Sequence, residues 1–453
     1  MNTYSHSAPM GAGPAGPGGV ARPKSLLRFA QYYDQAALLG WVLFTSVPSQ
    51  GVLALPRYLL VGYFVLGLVI HSRHTLGGFV RGWPSLVLPL MCLVSTIWAP
   101  SSSDAIRLGV FMFLTAAVAI YAGTRMSGRD ILLCYFLGEI FGAVLTVLHP
   151  TPDGGGAWTG PFSQKNFLAA HMFIMYACGF PLLFDPSANK LLRLLAAIFV
   201  PLGAVIILLA HSATTLLLLV GSTSALIAHV FVWQPATRIP MARTFLVLVI
   251  VVMGLIITTV LFGFTQFNAE SSLLSALGKD STLIGRTFMW QIAYRIMDQH
   301  PFTGLGAVGF WRPELGAANE ITRYFFYEHY TKFSFHNSYL ENGVQFGYPG
   351  YYFTFFLAAW GCWGAFRVWT RNQTLHNAIF MVLALMVVVR SNAETDLAAE
   401  LAPTAILMFI GALRRDAPTT VQPPAPEPLL ETGLPPGDPR HGRLYPRSPP
   451  LRR

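Results

Sequence analysis

His336 opens the segment HNSYLENG (336–343). Imidazole changes protonation near neutral pH and is the commonest general base, so His336 is the first candidate for proton transfer. The other role open to it is capping the helix that follows or bonding a loop carbonyl. Arg286 stands in IGRTFMW (284–290), at the start of a predicted helix. A guanidinium presents two parallel donors to phosphate or carboxylate oxygens, and a helix N-terminus adds backbone donors and a positive dipole end. The alternative is an exposed arginine on a polar helix face, a reading that suits Arg295 better; Arg295 remains a candidate. Lys165 lies in SQKN, Arg390 and Glu394 in RSNAET, and Arg107 beside Asp104. All sit at the edges of apolar runs, where charges are costly and face the protein interior. The competing roles are an Arg390–Glu394 ion pair between helices, snorkelling, and a structural Arg107–Asp104 contact. Glu341 and Glu394 are the reserve bases.

Several chemistries are absent from this pattern. Cys92, Cys134, Cys178 and Cys362 lie in apolar runs without CxxC spacing, which argues against a disulfide framework or zinc site. His300 and His329 form no metal-ligand spacing with neighbouring acids, and His300 precedes a proline that ends a helix. No metal or cofactor is expected. Trp158, Trp311, Tyr324, Phe325, Tyr327 and Tyr330 are able to stack on sugars, but interfacial belts account for most aromatics of membrane proteins.

The elements that must position these residues follow from composition. The 453 residues are 53% hydrophobic and 11% charged, with a mean hydropathy of +0.51. A soluble domain carries about 25% charged residues, so a soluble protein is excluded. Long continuous apolar runs exclude a β-barrel. The expectation is an all-α integral membrane protein of about 12 transmembrane helices. The apolar runs fall near 30–47, 56–71, 83–99, 104–122, 130–148, 166–184, 191–209, 213–233, 244–264, 338–366, 376–390 and 397–413. Residues 1–27, rich in Gly, Pro and Ala, and 416–453, rich in Pro and Arg, are read as disordered cytoplasmic tails. They flank a membrane domain over 28–415.

The net charge of +10 follows membrane topology, so no nucleic acid partner is expected. With both tails inside, each inner connection carries two basic residues, as in Arg73/Arg81 and Arg125/Arg129, which is the positive-inside pattern. Arg57, Arg107, Lys165 and Arg390 are left at the outer ends, where topology does not require them. One long extracytoplasmic loop, 265–335, lies between spans nine and ten. Phe288, Met289, Ile292, Ala293, Ile296 and Met297 repeat at helical spacing within it and predict an amphipathic helix over 285–299.

The segments STIWAPSSSDAIR (95–107), GPFSQKNFLAAH (160–171), IGRTFMW (284–290), HPFTGLGAVGFW (300–311), HNSYLENGVQFGYPG (336–350) and RSNAETDL (390–397) occur in this order. Together they resemble the O-antigen ligase and Wzy-type polysaccharide polymerase superfamily, and within it the exopolysaccharide-production polymerases. The resemblance spans roughly residues 30–413. It implies an inner-membrane glycosyltransferase acting on polyprenyl-diphosphate-linked oligosaccharides, inverting and without a metal ion. On that reading His336 is the base. Arg286 is the leading diphosphate ligand, with Lys165, Arg390, Glu394, Arg107, Arg295 and Glu341 lining the substrate site. The implied partners are the lipid-linked glycan, inner-membrane lipids, and chain-length and export proteins. One departure stands at 211–215 (HSATT), where Ala213 occupies a position that ligases of this family fill with a basic residue; Lys165 is the candidate to replace that charge. The departure favours a polymerase over a ligase acting on lipid A core. A lipid-linked glycan flippase or transporter is the reading from another class, but no repeat relates the two halves.

Overall fold

A computed structural model describes residues 24–45, 54–236, 280–325 and 333–415, with a few isolated positions between 239 and 248. Most of the two tails, the expected ninth span and the loop segments 265–279 and 326–332 lie outside the described residues. The regular structure among the described residues is helical, apart from one isolated antiparallel bridge between Pro152 and Trp158.

The first half contains α1 Lys24–Thr45, α2 Ala54–Ile70, α3 Ser72–Gly82, α4 Pro84–Val94, α5 Ser102–Arg125 and α6 Gly128–Leu148. Then come α7 Lys165–Phe184, α8 Lys190–Leu209 and α9 Ala213–Ala228, the last running on through a π-helical turn at His229–Trp233. The loop contributes α10 Asp280–Gln299 and α11 Gly316–Tyr324; α12 Ser338–Arg371, α13 Leu375–Arg390 and α14 Pro403–Leu413 close the bundle. Local sequence sets several starts. The hydroxyls of Ser101 and Ser127 accept from the Asp104 and Asp130 amides, and the Asn189 side chain from Leu192. Each thereby satisfies one of the amides left free at a helix N-terminus.

Among the described residues, five helices are long and apolar enough to cross a membrane, six if the bent pair α2–α3 forms one span. Two sequence expectations change. Residues 72–82, expected as an inner connection, form α3, bent by 107° from α2. The Thr75 hydroxyl donates to the carbonyls of Leu68 and His71 at this bend. The run 397–413 is helical only from Pro403. At 1.5 Å per residue its 11 residues reach about 16 Å, half a hydrocarbon core. Proline at the first helical position forces the residue before it out of the helical region. Residues 391–402 form turns and bends instead.

One core gathers the bundle helices and a second gathers the loop. Small residues allow close approach in the first: a Cβ on Gly364 of α12 would fall 2.6 Å from the Ala412 Cα in α14. Asp34, buried in α1, accepts from Tyr63 (2.8 Å) and Tyr121 (2.5 Å) and pairs with Arg125 (3.4 Å), tying α1, α2 and α5 together. In the second core Met289, Ile292, Ala293, Ile296 and Met297 are all buried, as their spacing predicts.

The loop is spliced into α12 through backbone. Gly347 breaks that helix with φ +70°, a conformation glycine adopts without penalty. Pro349 supplies no N–H, and Tyr348 N–H turns outward to the Pro301 carbonyl (2.8 Å). The Val344 and Gln345 carbonyls, freed by the break, accept from Leu305 and Gly306, each at 2.9 Å. The same turn is fastened to the end of α4: Ala307 N–H donates to Ser95 Oγ (3.0 Å) and Trp98 Nε1 to the Thr303 carbonyl (3.2 Å).

Candidate active site

The turns between α13 and α14 place Glu394. Its amide donates to the Arg390 carbonyl at the end of α13 (2.6 Å). Ser338, first residue of α12, clamps the segment: its hydroxyl donates to the Glu394 carbonyl (2.9 Å) and accepts from Leu397 N–H (3.1 Å). The Ser338 amide donates to the Ser391 carbonyl (2.8 Å).

Around the Glu394 carboxylate three elements converge. Asn166 of α7 donates its side-chain amide to Oε1 (2.7 Å). His336 Nδ1 lies 3.4 Å from Oε2, and Arg286 of α10 lies 3.7 Å from Oε1. Glu394 is only 4% exposed. Burial acts to raise its carboxyl, but the hydrogen bond and charge of His336, with the charges of Arg390 and Arg286, outweigh burial and hold it below the ordinary carboxylate value. It stays ionised at neutral pH. His336 itself has φ +48°, a left-handed backbone that costs a non-glycine residue roughly 1–3 kcal/mol and concentrates at functional sites. Asn337 follows at once and caps α12 by accepting from the Tyr339 and Leu340 amides. With Nδ1 turned to Glu394, the imidazole has Nε2 left for a substrate.

The structure thus gathers Arg286, His336 and Glu394 and disposes the other expected residues around them. Arg390 is buried, and its carboxylate partner is Asp396 (2.8 and 3.3 Å), correcting the Arg390–Glu394 pair. It also reaches the Asn166 carbonyl (3.3 Å) and Thr215 Oγ1 (3.5 Å). Arg390 therefore supplies positive charge beside the Ala213 helix start; Lys165 is occupied with Asp153 (3.5 Å). Arg107 pairs with Glu400 (2.5 Å) rather than with Asp104, and Arg295 with Glu320 (3.3 Å) away from the cluster. Glu341 accepts from Trp311 Nε1 (2.9 Å) and Phe335 N–H (3.0 Å), which fixes the strand of chain entering His336. Trp311, one of the aromatics weighed between sugar stacking and an interfacial belt, is buried in the loop core. Arg286 lies in the second turn of α10, because the helix starts at Asp280; the helix N-terminus does not assist it. His329, Tyr327 and Tyr330 fall outside the described residues.

A cavity of about 490 Å³ opens on the loop side of residues 395–400, lined by Arg107, Trp311, Arg312, Ser334, Glu341 and Glu400 among others. That volume suits a ligand of moderate size. The side-chain roles of Asn166, Asp396 and Ser338 were not evident from sequence, although all three lie inside the segments SQKN, RSNAETDL and HNSYLENG. The signal available was a run of polar side chains at the ends of apolar helices.

Residues 197–356 match a family model described as O-Antigen ligase. The matched stretch includes Arg286 and His336. Over 352 residues the chain is 24% identical to the exopolysaccharide production protein ExoQ of Rhizobium meliloti (strain 1021), covering 75% of this chain and 78% of that protein. The chain is thus similar to O-antigen ligases over that stretch and to an exopolysaccharide production protein over most of its length. Its apolar helices make it a multi-pass helical membrane protein, and Asn166, Arg286, His336 and Glu394 all lie in segments that carried the resemblance.

Proposed function

We propose that this protein is a membrane glycosyltransferase that joins polyprenyl-diphosphate-linked oligosaccharide repeat units into a surface or exopolysaccharide. It works at the outer face of the bacterial inner membrane, with about 12 spans and both termini in the cytoplasm. The observation that carries the reading is the convergence of His336, Arg286 and Asn166 on one buried carboxylate.

The chemistry follows from these groups. An acceptor hydroxyl attacks the anomeric carbon from the face opposite the diphosphate. The carbon–oxygen bond to the diphosphate breaks, and the leaving group departs with the electron pair. His336 Nε2 takes the hydroxyl proton. Glu394 stabilises the imidazolium through Nδ1, as a buried carboxylate does behind a catalytic histidine. Arg286 meets the negative charge that develops on the diphosphate. No further cofactor enters these steps.

The name of the similar Rhizobium meliloti protein favours a polymerase over transfer to lipid A core, and so does Ala213. Chain-length regulators and export proteins are the partners this role implies. The test is His336→Ala in purified enzyme supplied with polyprenyl-diphosphate repeat units, with chain growth followed on a gel. A loss of about 10²–10⁴-fold is expected for removal of a general base. Growth at the wild-type rate removes His336 from the mechanism.

A further inference from the structure

Four cations stand at the outer helix ends without a topological reason. Three have carboxylate partners: Arg107 with Glu400, Lys165 with Asp153, Arg390 with Asp396. Arg57, near the start of α2, has none among the described residues, and its buried Nε lacks a hydrogen-bond partner. It faces a cavity of about 290 Å³ that His171 also lines, together with the hydroxyl residues Thr45, Ser163 and Thr404. None of Arg286, His336 and Glu394 lines this cavity.

His171 is held in an unusual way. Its Nδ1 lies 3.0 Å from both oxygens of Glu139, which is wholly buried in α6. The Phe162 ring covers the imidazole, with centroids 4.6 Å apart. A carboxylate this deep in a membrane helix is costly and marks function. A carboxylate on one ring nitrogen orients a histidine and leaves the other nitrogen for a ligand. The acids of the cavity, Asp396 and Glu400, are already neutralised by their arginines. With one proton between Glu139 and Nδ1 and one on Nε2, the pair is neutral overall, so Arg57 is the charge left over.

We infer that this cavity binds the phosphate of a lipid. The Arg57 guanidinium and His171 Nε2–H donate to phosphate oxygens, the Ser163 hydroxyl adds a donor, and Phe167, Ile174 and Leu401 take the first carbons of the chain. An uncharged sugar would leave Arg57 uncompensated. The cavity shares one wall with the transfer cluster: Arg390 lines it and bonds the Asn166 carbonyl, while the Asn166 amide bonds Glu394. A polyprenyl phosphate arriving at or leaving the cluster, or a bilayer phospholipid, offers the same phosphate chemistry. The choice of a polyprenyl lipid rests on the proposed transferase activity; the phosphate site does not.

The test uses the full-length protein in detergent micelles, with lipid binding read by native mass spectrometry. Polyprenyl phosphate and phosphatidylglycerol are the two probes. Arg57→Gln and His171→Gln should each weaken binding by about 10-fold or more, as loss of a charged hydrogen bond does, and Arg57→Lys should retain most of it. Displacement of phosphatidylglycerol by polyprenyl phosphate identifies the isoprenoid as occupant; the reverse identifies the bilayer lipid. Thermal unfolding of each variant separates lost binding from lost folding. Wild-type binding of both lipids by Arg57→Gln and His171→Gln overturns the site. His336→Ala should bind lipid phosphate normally. Chain growth by that variant would refute the transfer mechanism without touching the lipid site.

Discussion

Glu394→Gln is the most discriminating substitution. The amide is nearly isosteric and still accepts from Asn166, so the 2.7 Å bond survives. What is lost is the negative charge facing His336 at 3.4 Å and Arg286 at 3.7 Å. Both contacts are longer than an ordinary hydrogen bond of about 2.7–3.2 Å. Each therefore belongs at the low end of charged-bond values, about 1.5 kcal/mol. The two together give about 3 kcal/mol, or roughly 150-fold in rate. The glutamine NH₂ can also turn toward Nδ1 and favour the wrong tautomer, a defect that costs about 10⁴-fold where a carboxylate supports a catalytic histidine. The expected loss in kcat/KM is about 10²- to 10⁴-fold, with little loss of folded protein. The assay is chain growth on polyprenyl-diphosphate repeat units by purified enzyme, normalised to protein that elutes as one species. A variant within about threefold of wild type, well under 1.4 kcal/mol, would refute the role given to this carboxylate.

Three further outcomes follow from the same geometry. Arg286→Lys keeps the charge but not the planar fork, and should lose roughly 10- to 150-fold in chain growth; a near-normal rate at equal membrane abundance contradicts two-bond contact. Asp396→Asn should act on stability instead, since it strips the partner from buried Arg390 and such a loss costs about 3–5 kcal/mol; a low melting temperature and low abundance are the readout, and a variant that is stable but inactive contradicts it. The Glu394 carboxyl is depressed in the folded protein, so its stabilisation is complete above the unfolded value, about 4.3, and is lost as pH falls through the lower folded value. The melting difference between wild type and Glu394→Gln should not shrink between about pH 8 and 5 and should shrink only below; shrinkage between about pH 7 and 5.5 contradicts the depressed value.

Much of this architecture is legible in the sequence because a bilayer imposes simple rules. Apolar runs mark helices, and the spacing of Met289, Ile292, Ala293, Ile296 and Met297 marks the buried face of α10. His300-Pro301 marks its end, since α10 stops at Gln299. Its start was not legible, because no apolar period announces the turn from Asp280. Nor was α3 legible: its Arg73 and Arg81 read as connection residues, and only the tertiary bend shows the helix. Type and placement singled out Arg286, His336 and Glu394, which the fold brings together. Ion partners were beyond reach, since Arg107 and Glu400 are 293 residues apart and Arg390 had two acids, Glu394 and Asp396, within six residues to choose between. Charge pairing depends on which helix ends the fold brings together.

The break at Gly347 makes the long loop and α12 a single piece of backbone. Three hydrogen bonds cross between residues 301–306 and 344–348, and each satisfies a group that an unbroken helix would have satisfied itself or that proline removed. A chimera that exchanged the loop but kept this α12 would leave the Tyr348 amide and the Val344 and Gln345 carbonyls without partners in a buried setting, at roughly 1–3 kcal/mol apiece. The unit that can be grafted between relatives therefore runs from the end of α10 through residue 348. Any exchange of glycan preference by loop transfer has to carry the kinked start of α12, with His336 and Glu341, along with it.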